Sequence, residues 1–188
     1  MKKIFAPTVL ILLCTLFIAV MPTEAEGAIY GDTVRLHILA NSDSEEDQAV
    51  KLILRDAILE KYGKSLSLFE SVYNAEEELS VLLPEIKTFS DGVLKDVGYD
   101  GETTVTLGEE WYDTREYENF TLPCGYYTSL RILIGEGEGK NWWCVMFPPL
   151  CLDVAVAESK YTPEEEILIS KKYNVKFKIL ELVSEFAR

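Results

Sequence analysis

The chain has 188 residues, enough for one domain of ordinary size built on a single hydrophobic core. Its formal charge of −14 at pH 7 repels polyanions, which argues against nucleic acid and anionic lipid as partners. One histidine and four cysteines leave little material for imidazole acid–base chemistry or for a cysteine–histidine metal site.

At the N-terminus, Lys2 and Lys3 precede an uncharged apolar run, Ile4 to Met21, and a small-residue end, PTEAEGA. This is the layout of a secretory signal, and residues 1–25 are read as one, with cleavage after Ala25 and, as alternatives, after Gly27 or Ala28. The competing reading is an uncleaved anchor. Pro7 shortens the helical part of the run to about 13 residues, which suits a signal better than a span. Residues 26–188 are then a single extracytoplasmic domain. Cys14 belongs to the leader, and of Cys124, Cys144 and Cys151 a pair is expected to be bridged in an oxidising compartment, the odd one staying free or pairing between chains.

The segment DTVRLHILANSDSEEDQ starts with alternation, Val34, Leu36, Ile38 and Ala40 on one side and Thr33, Arg35, His37 and Leu39 on the other, which predicts a strand. Small polar residues Asn41 to Ser44 break it, and Glu45, Glu46 and Asp47 open a helix that buries Val50, Ile53, Leu54, Ala57 and Ile58 and stops at Gly63. Asn74 and Glu77 have capping-box spacing, and Pro84 predicts a break or a fresh start before helical spacing resumes to Gly98. Thr103, Val105 and Leu107 alternate as a strand bounded by Gly101 and Gly108. Thr128 to Ile134 and NWWCVMF, residues 141–147, form two more strands. The glycines of GEGEGK suit a connection between antiparallel neighbours, and Pro148 and Pro149 end the second strand. Thr162 and Pro163 start a helix, and VKFKILELVSEF predicts a terminal one. The expected fold is α+β, a two-layer domain with helices on one face of a mainly antiparallel sheet.

No zinc, P-loop or nucleophile-elbow pattern is present, and GEGEG lacks the lysine and hydroxyl of a phosphate cradle. No catalytic residue, cofactor, metal or small-molecule substrate is assigned. The sharpest enzyme alternative is a secreted cysteine hydrolase acting on wall peptide, with Cys144 as nucleophile and His37 as base. A protein-binding patch is the favoured use of the aromatic strand. Strict alternation puts Trp142, Cys144 and Met146 on one face and Trp143, Val145 and Phe147 on the other, so whichever tryptophan faces away from the helices lies beside Arg131 and Arg35. Trp142, Trp143, Arg131, Arg35 and Phe147 are the expected interface residues.

The stretches RLHILANSDSEEDQAVKLILRDAIL, YTSLRILIGEGEGKNWWCVMFPPLC and YNVKFKILELV resemble the stage II sporulation protein R family of endospore-forming Firmicutes. The resemblance implies a signalling protein exported from the forespore into the space between the forespore and mother-cell membranes. Its implied partner there is a membrane-embedded aspartic protease, stage II sporulation protein GA, which processes the pro-form of sigma-E. The resemblance includes Cys144 and Cys151 around VMFPPL, a pair expected to be bridged, the alternative being two buried thiols. It departs at Cys124, where the family pattern has alanine.

Overall fold

The computed structural model describes residues 7–15, 24–63, 65, 68–69, 71–117, 120–148, 161–170 and 181. Two compact units make up the chain, one of residues 29–110 and 126–162, the other of 1–28, 111–125 and 163–188.

The first unit is an α+β sandwich of one sheet and one helical layer. Four strands lie in the order β2 (Thr103–Tyr112), β5 (Gly125–Ile134), β1 (Val34–Leu39), β6 (Asn141–Phe147). β1 runs parallel to β5 and antiparallel to β6. All six residues of β1 are buried, as expected of a central strand with both faces covered. The helices α3 (Glu45–Ile58) and α4 (Val72–Asp96) bury Val50, Leu54, Ile58, Ala75, Leu79, Ile86 and Leu94 against Val34, Leu36 and Ile38 of β1 and their neighbours on β5 and β6. Burying such aliphatic side chains stabilises by roughly 1.5–3 kcal/mol each relative to leaving them exposed.

Several local expectations are met for identifiable reasons. Ser44 caps α3, its hydroxyl accepting from the Asp47 amide at 3.1 Å, and Glu45, Glu46 and Asp47 fill the first turn. The chain leaves α3 through a π-turn, Leu59–Gly63, and stops at the expected glycine. β6 ends at Phe147, ahead of Pro148.

Four expectations are corrected. β5 and β6 are not hairpin partners, because β1 lies between them and the glycine-rich loop crosses the end of that strand. Ser71, not Asn74, caps α4, its hydroxyl accepting from the Asn74 amide. Pro84 lies inside α4 without ending it. It is exposed, so the carbonyl it leaves without a helical donor faces solvent, where that loss is least costly. Finally, strict alternation fails at the end of β6. A register shift sets Val34 opposite Phe147 and Arg35 opposite Val145, leaving Met146 as the extra residue of a bulge. Phe147 therefore joins Met146 and Cys144 in the core under the helices instead of sharing the face of Trp143.

The second unit contains a short antiparallel pair, β3 (Arg115–Glu116) with β4 (Thr121–Leu122), whose turn stacks Tyr117 on Phe120 with centroids 4.4 Å apart. Its helices are α1 (residues 7–15), most of α2 (Glu24–Gly31) and α5 (Pro163–Ile169). α1 exposes Leu10, Ile11, Leu12 and Leu13, each by more than half. Among the described residues no helix is long and apolar enough to cross a membrane. Cys124 is a buried thiol outside any disulfide, and burial pushes its pKa up. Cys151 and the expected terminal helix lie outside the described residues, apart from Glu181, which is helical.

Candidate functional site

Neighbouring residues of a strand project to opposite faces, and residues in register on adjacent strands share a face. Leu36 is in register with Leu130 and with Cys144, and all three lie in the core under the helices. The next residue, His37, is in register with Arg131 on one side and Trp143 on the other. These three project from the sheet face opposite α3 and α4. The sheet thus settles which tryptophan faces away from the helices. Trp143 does, whereas Trp142 packs against the helical core with the Arg55 guanidinium 5.2 Å over its ring.

His37 is the organising residue of that face. Its Nδ1 lies 2.9 Å from both carboxylate oxygens of Glu110, an acceptor-only group, so Nδ1 carries a hydrogen. Nε2 lies 3.0 Å from the Asn141 side-chain amide, and the imidazole stacks on Trp143 with centroids 5.5 Å apart and planes 24° apart. The Arg131 Nε is 3.8 Å from Glu110 Oε1. Four strands therefore converge here: β1 supplies His37, β2 Glu110, β5 Arg131, and β6 Asn141 and Trp143. The His37 ring is nearly enclosed, while Glu110 keeps a quarter and Arg131 about two fifths of the side chain exposed.

Of the expected interface residues, Trp143 and Arg131 are brought together on this face and remain partly accessible. Arg35 shares the face but is fully buried, its guanidinium 5.1 Å over the Tyr127 ring. It supports the face from within and offers no contact area. Phe147 and Trp142 belong to the helical side. Cys144 and His37 project from opposite faces of the sheet, so the thiol–imidazole pair of the hydrolase alternative is not formed. Glu110 and Asn141 escaped the sequence reading. The signal for Glu110 was present: β2 continues through Gly108 to Tyr112, and alternation carried past that glycine aligns Thr104, Thr106, Gly108 and Glu110.

A second constellation ties the two long motifs together. The Asp47 carboxylate accepts from the Ser42 hydroxyl, from Tyr99 Oη at 2.6 Å and from Asn41 Nδ2 at 3.1 Å. The bond from Ser42, then that from Tyr99, hold its pKa down at about 2 against the opposing effect of burial. Burial, and next the Asp47 carboxylate, push Tyr99 up to about 12. The glycine-rich loop docks on this turn: Gly139 N donates to Ala40 O at 2.8 Å, Glu138 N to Asn41 O at 3.1 Å, and Lys140 N to Asp43 Oδ1 at 2.7 Å. Lys51 Nζ, on α3, donates to the Lys140 carbonyl at 2.8 Å. At Gly139 a Cβ would sit 2.2 Å from the Ser42 carbonyl oxygen, so only glycine permits this approach. The loop is thus a docked element and not a slack connection.

Among the described residues no group of three or more His, Cys, Asp or Glu side chains could hold a metal ion. The candidate site is a polar and aromatic patch set into a sheet face.

Comparison with known proteins adds the family. A family model described as stage II sporulation protein R matches residues 31–157. The chain is 35% identical over 152 residues to stage II sporulation protein R of Bacillus subtilis (strain 168), an alignment covering 80% of this chain and 66% of that protein, slightly under two thirds of its length. No solved structure matches. The matched span contains β1, the Asp47 turn, the docked glycine loop and β6, and on these grounds the chain belongs to the stage II sporulation protein R family.

Proposed function

We propose that this protein is an exported sporulation signal that activates a membrane-embedded aspartic protease, stage II sporulation protein GA, by direct contact in the space between the forespore and mother-cell membranes. Processing of pro-sigma-E is the proposed consequence. Family membership is the observation that carries this reading. The apolar run behind Lys2 and Lys3 supports export, and the acidic surface is compatible with a partner that offers basic groups.

A ligand without catalytic groups changes a protease only by binding one of its arrangements better than another. For an enzyme that needs two aspartates together, favouring the dimer is the simplest such route. The proposed contact surface is the face of Trp143 and Arg131, because aromatic and arginine side chains held rigidly at a surface are the ones whose truncation weakens interfaces most, often by about 2 kcal/mol or more. The cysteine-hydrolase alternative is not carried forward, since its two residues lie on opposite sides of the sheet.

The test is co-expression of the chain with the candidate protease and its precursor substrate in a non-sporulating cell. Cleavage dependent on the chain is expected, together with its loss in a Trp143→Ala variant that is exported normally and melts as the wild type does. Wild-type cleavage by that variant removes Trp143 from the contact surface. No cleavage with the wild-type chain refutes the activator reading.

A further inference from the structure

The face of Trp143 is tied to the helical layer behind it through one loop residue. Lys140 stands immediately before β6, and side chains hold both of its backbone polar groups: its N–H donates to Asp43 Oδ1 at 2.7 Å, and its carbonyl accepts from Lys51 Nζ at 2.8 Å. Asn141 follows directly. It opens β6 and is in register with Leu39 at the end of β1, where strands fray most readily, and its side-chain amide lies 3.0 Å from His37 Nε2. Glu110 holds the same ring at Nδ1. Held at both nitrogens, the imidazole keeps its plane against Trp143, on which it stacks.

Lys51 is a costly residue at its position. It is only 4% exposed, it shares the buried side of α3 with Val50, Leu54 and Ile58, and both of its hydrogen-bond acceptors, Gln48 Oε1 at 2.6 Å and the Lys140 carbonyl, are neutral. Gln48 is itself fixed, its Nε2 donating to the Ser42 carbonyl at 2.8 Å. Burial pushes the Lys51 pKa down, with Asp43 opposing the shift and Lys140 and Arg55 adding to it. The folded value lies below the unfolded one, so at neutral pH, under both, the charge lowers folding stability. Global stability therefore does not explain an ammonium here. What the ammonium supplies is a charged donor aimed at one loop carbonyl, a stronger bond than a neutral donor makes. We propose that Lys51 is a positioning residue of the Trp143 face: by holding the Lys140 carbonyl it fixes Asn141 at the start of β6, and Asn141 in turn holds the His37 ring on which Trp143 stacks. Lys51 acts from the opposite side of the sheet, through the backbone of residues 140 and 141. The use of that face by a partner rests on the activator reading above; the coupling from Lys51 to His37 does not.

The test uses the full-length chain with Lys51→Met, which keeps an unbranched apolar stem and removes the charge, with Asn141→Ala, and with both together. In Lys51→Met, amide exchange at residues 141–143 should rise roughly tenfold, as expected for one lost hydrogen bond at a strand end, and the His37 ring-nitrogen and Trp143 indole signals should move. In the Asn141→Ala background, Lys51→Met should move those ring signals no further, because a residue that acts through Asn141 then has nothing to act on. Asp43→Ala, at an exposed position, removes the other grip on Lys140 without touching the core and should move the same signals, so the outcome does not depend on whether Lys51→Met folds. In the cleavage assay Lys51→Met should lose stimulated cleavage by roughly tenfold while being exported normally. Unmoved His37 and Trp143 signals in both Lys51→Met and Asp43→Ala overturn the proposal, as do effects of Lys51→Met and Asn141→Ala that simply add. Wild-type cleavage by Lys51→Met overturns it too. If the wild-type chain stimulates no cleavage at all, the activator reading falls and the ring signals alone decide on Lys51.

Discussion

Replacing Asp47 with asparagine tests whether the turn between β1 and α3 is held by charge or only by shape. The carboxyl falls from 3.8 to about 2 in the folded protein, chiefly through the hydrogen bond from Ser42 and then that from Tyr99. A shift of that size corresponds to about 2.5 kcal/mol of folding stability, at ~1.4 kcal/mol per pH unit. The figure is an upper one, because Asn41 and Ser42 are only half-buried and Ser44 is exposed, so solvent screens part of the interaction. The folded pKa is depressed, so the contribution is complete above the unfolded value near 3.8 and disappears as pH falls through about 2. Urea unfolding at pH 7, 4.5, 3 and 2 should therefore show wild type exceeding Asp47→Asn by about 1–2 kcal/mol at pH 7, with the gap closing across the acid range. Tyr99→Phe removes one donor and should move the closure to higher pH. Parallel stability profiles for wild type and Asp47→Asn between pH 5 and 2 would refute the electrostatic account and leave Asp47 as a shape-filling residue.

Gly139→Ala should be far more damaging than its size suggests, since the new Cβ meets the Ser42 carbonyl backbone and undocking the loop forfeits the Gly139–Ala40 and Glu138–Asn41 bonds. A loss of about 3–5 kcal/mol is expected from overpacking plus two hydrogen bonds, read as a lower denaturation midpoint. Asp91→Ala removes the acceptor of both the Thr103 amide and hydroxyl, at 2.7 and 2.8 Å, and should cost about 1.5–3 kcal/mol and raise amide exchange at the start of β2. If Cys144 and Cys151 are bridged, neither takes up a thiol label under denaturing, non-reducing conditions, whereas Cys124 does. Labelling of both would establish two thiols.

The amphipathic elements were legible because their periods are. β1 and β6 form where alternation places them, and α3 and the later part of α4 bury Val50, Leu54, Ile58, Ile86 and Leu94 as spacing selects, whereas Ile53, expected on the buried side of α3, is exposed. What sequence spacing could not supply was neighbour identity across distance. Nothing local says that β1 inserts between β5 and β6, and a glycine-rich loop between two apolar strands reads naturally as a hairpin until that insertion is known. The same insertion brings Asn141 to His37 and Glu110 to Arg131, pairings between residues far apart in the chain. Phe147 was misassigned for another reason: a bulge of one residue reverses every later side chain, and a bulge leaves no trace in alternation itself. Arg35 was placed on the correct face but expected at the surface, because spacing reports direction and not depth.

The position of β1 also constrains how the fold comes together. Val34 pairs with Thr128 and Phe147, so the first strand to leave any N-to-C-terminal process, synthesis or threading through a pore, finds its partners only when the last part of the sheet emerges. α3 and α4 can meet early, being close in sequence. The apolar strand VRLHIL must wait, with both edges unpaired, while roughly a hundred residues of chain explore the loop that closure will remove. High contact order of this kind slows assembly and lengthens exposure of a sticky edge. Arg35 and His37 interrupt this mostly aliphatic hexapeptide, and a charge such as that of Arg35 works against premature pairing between chains.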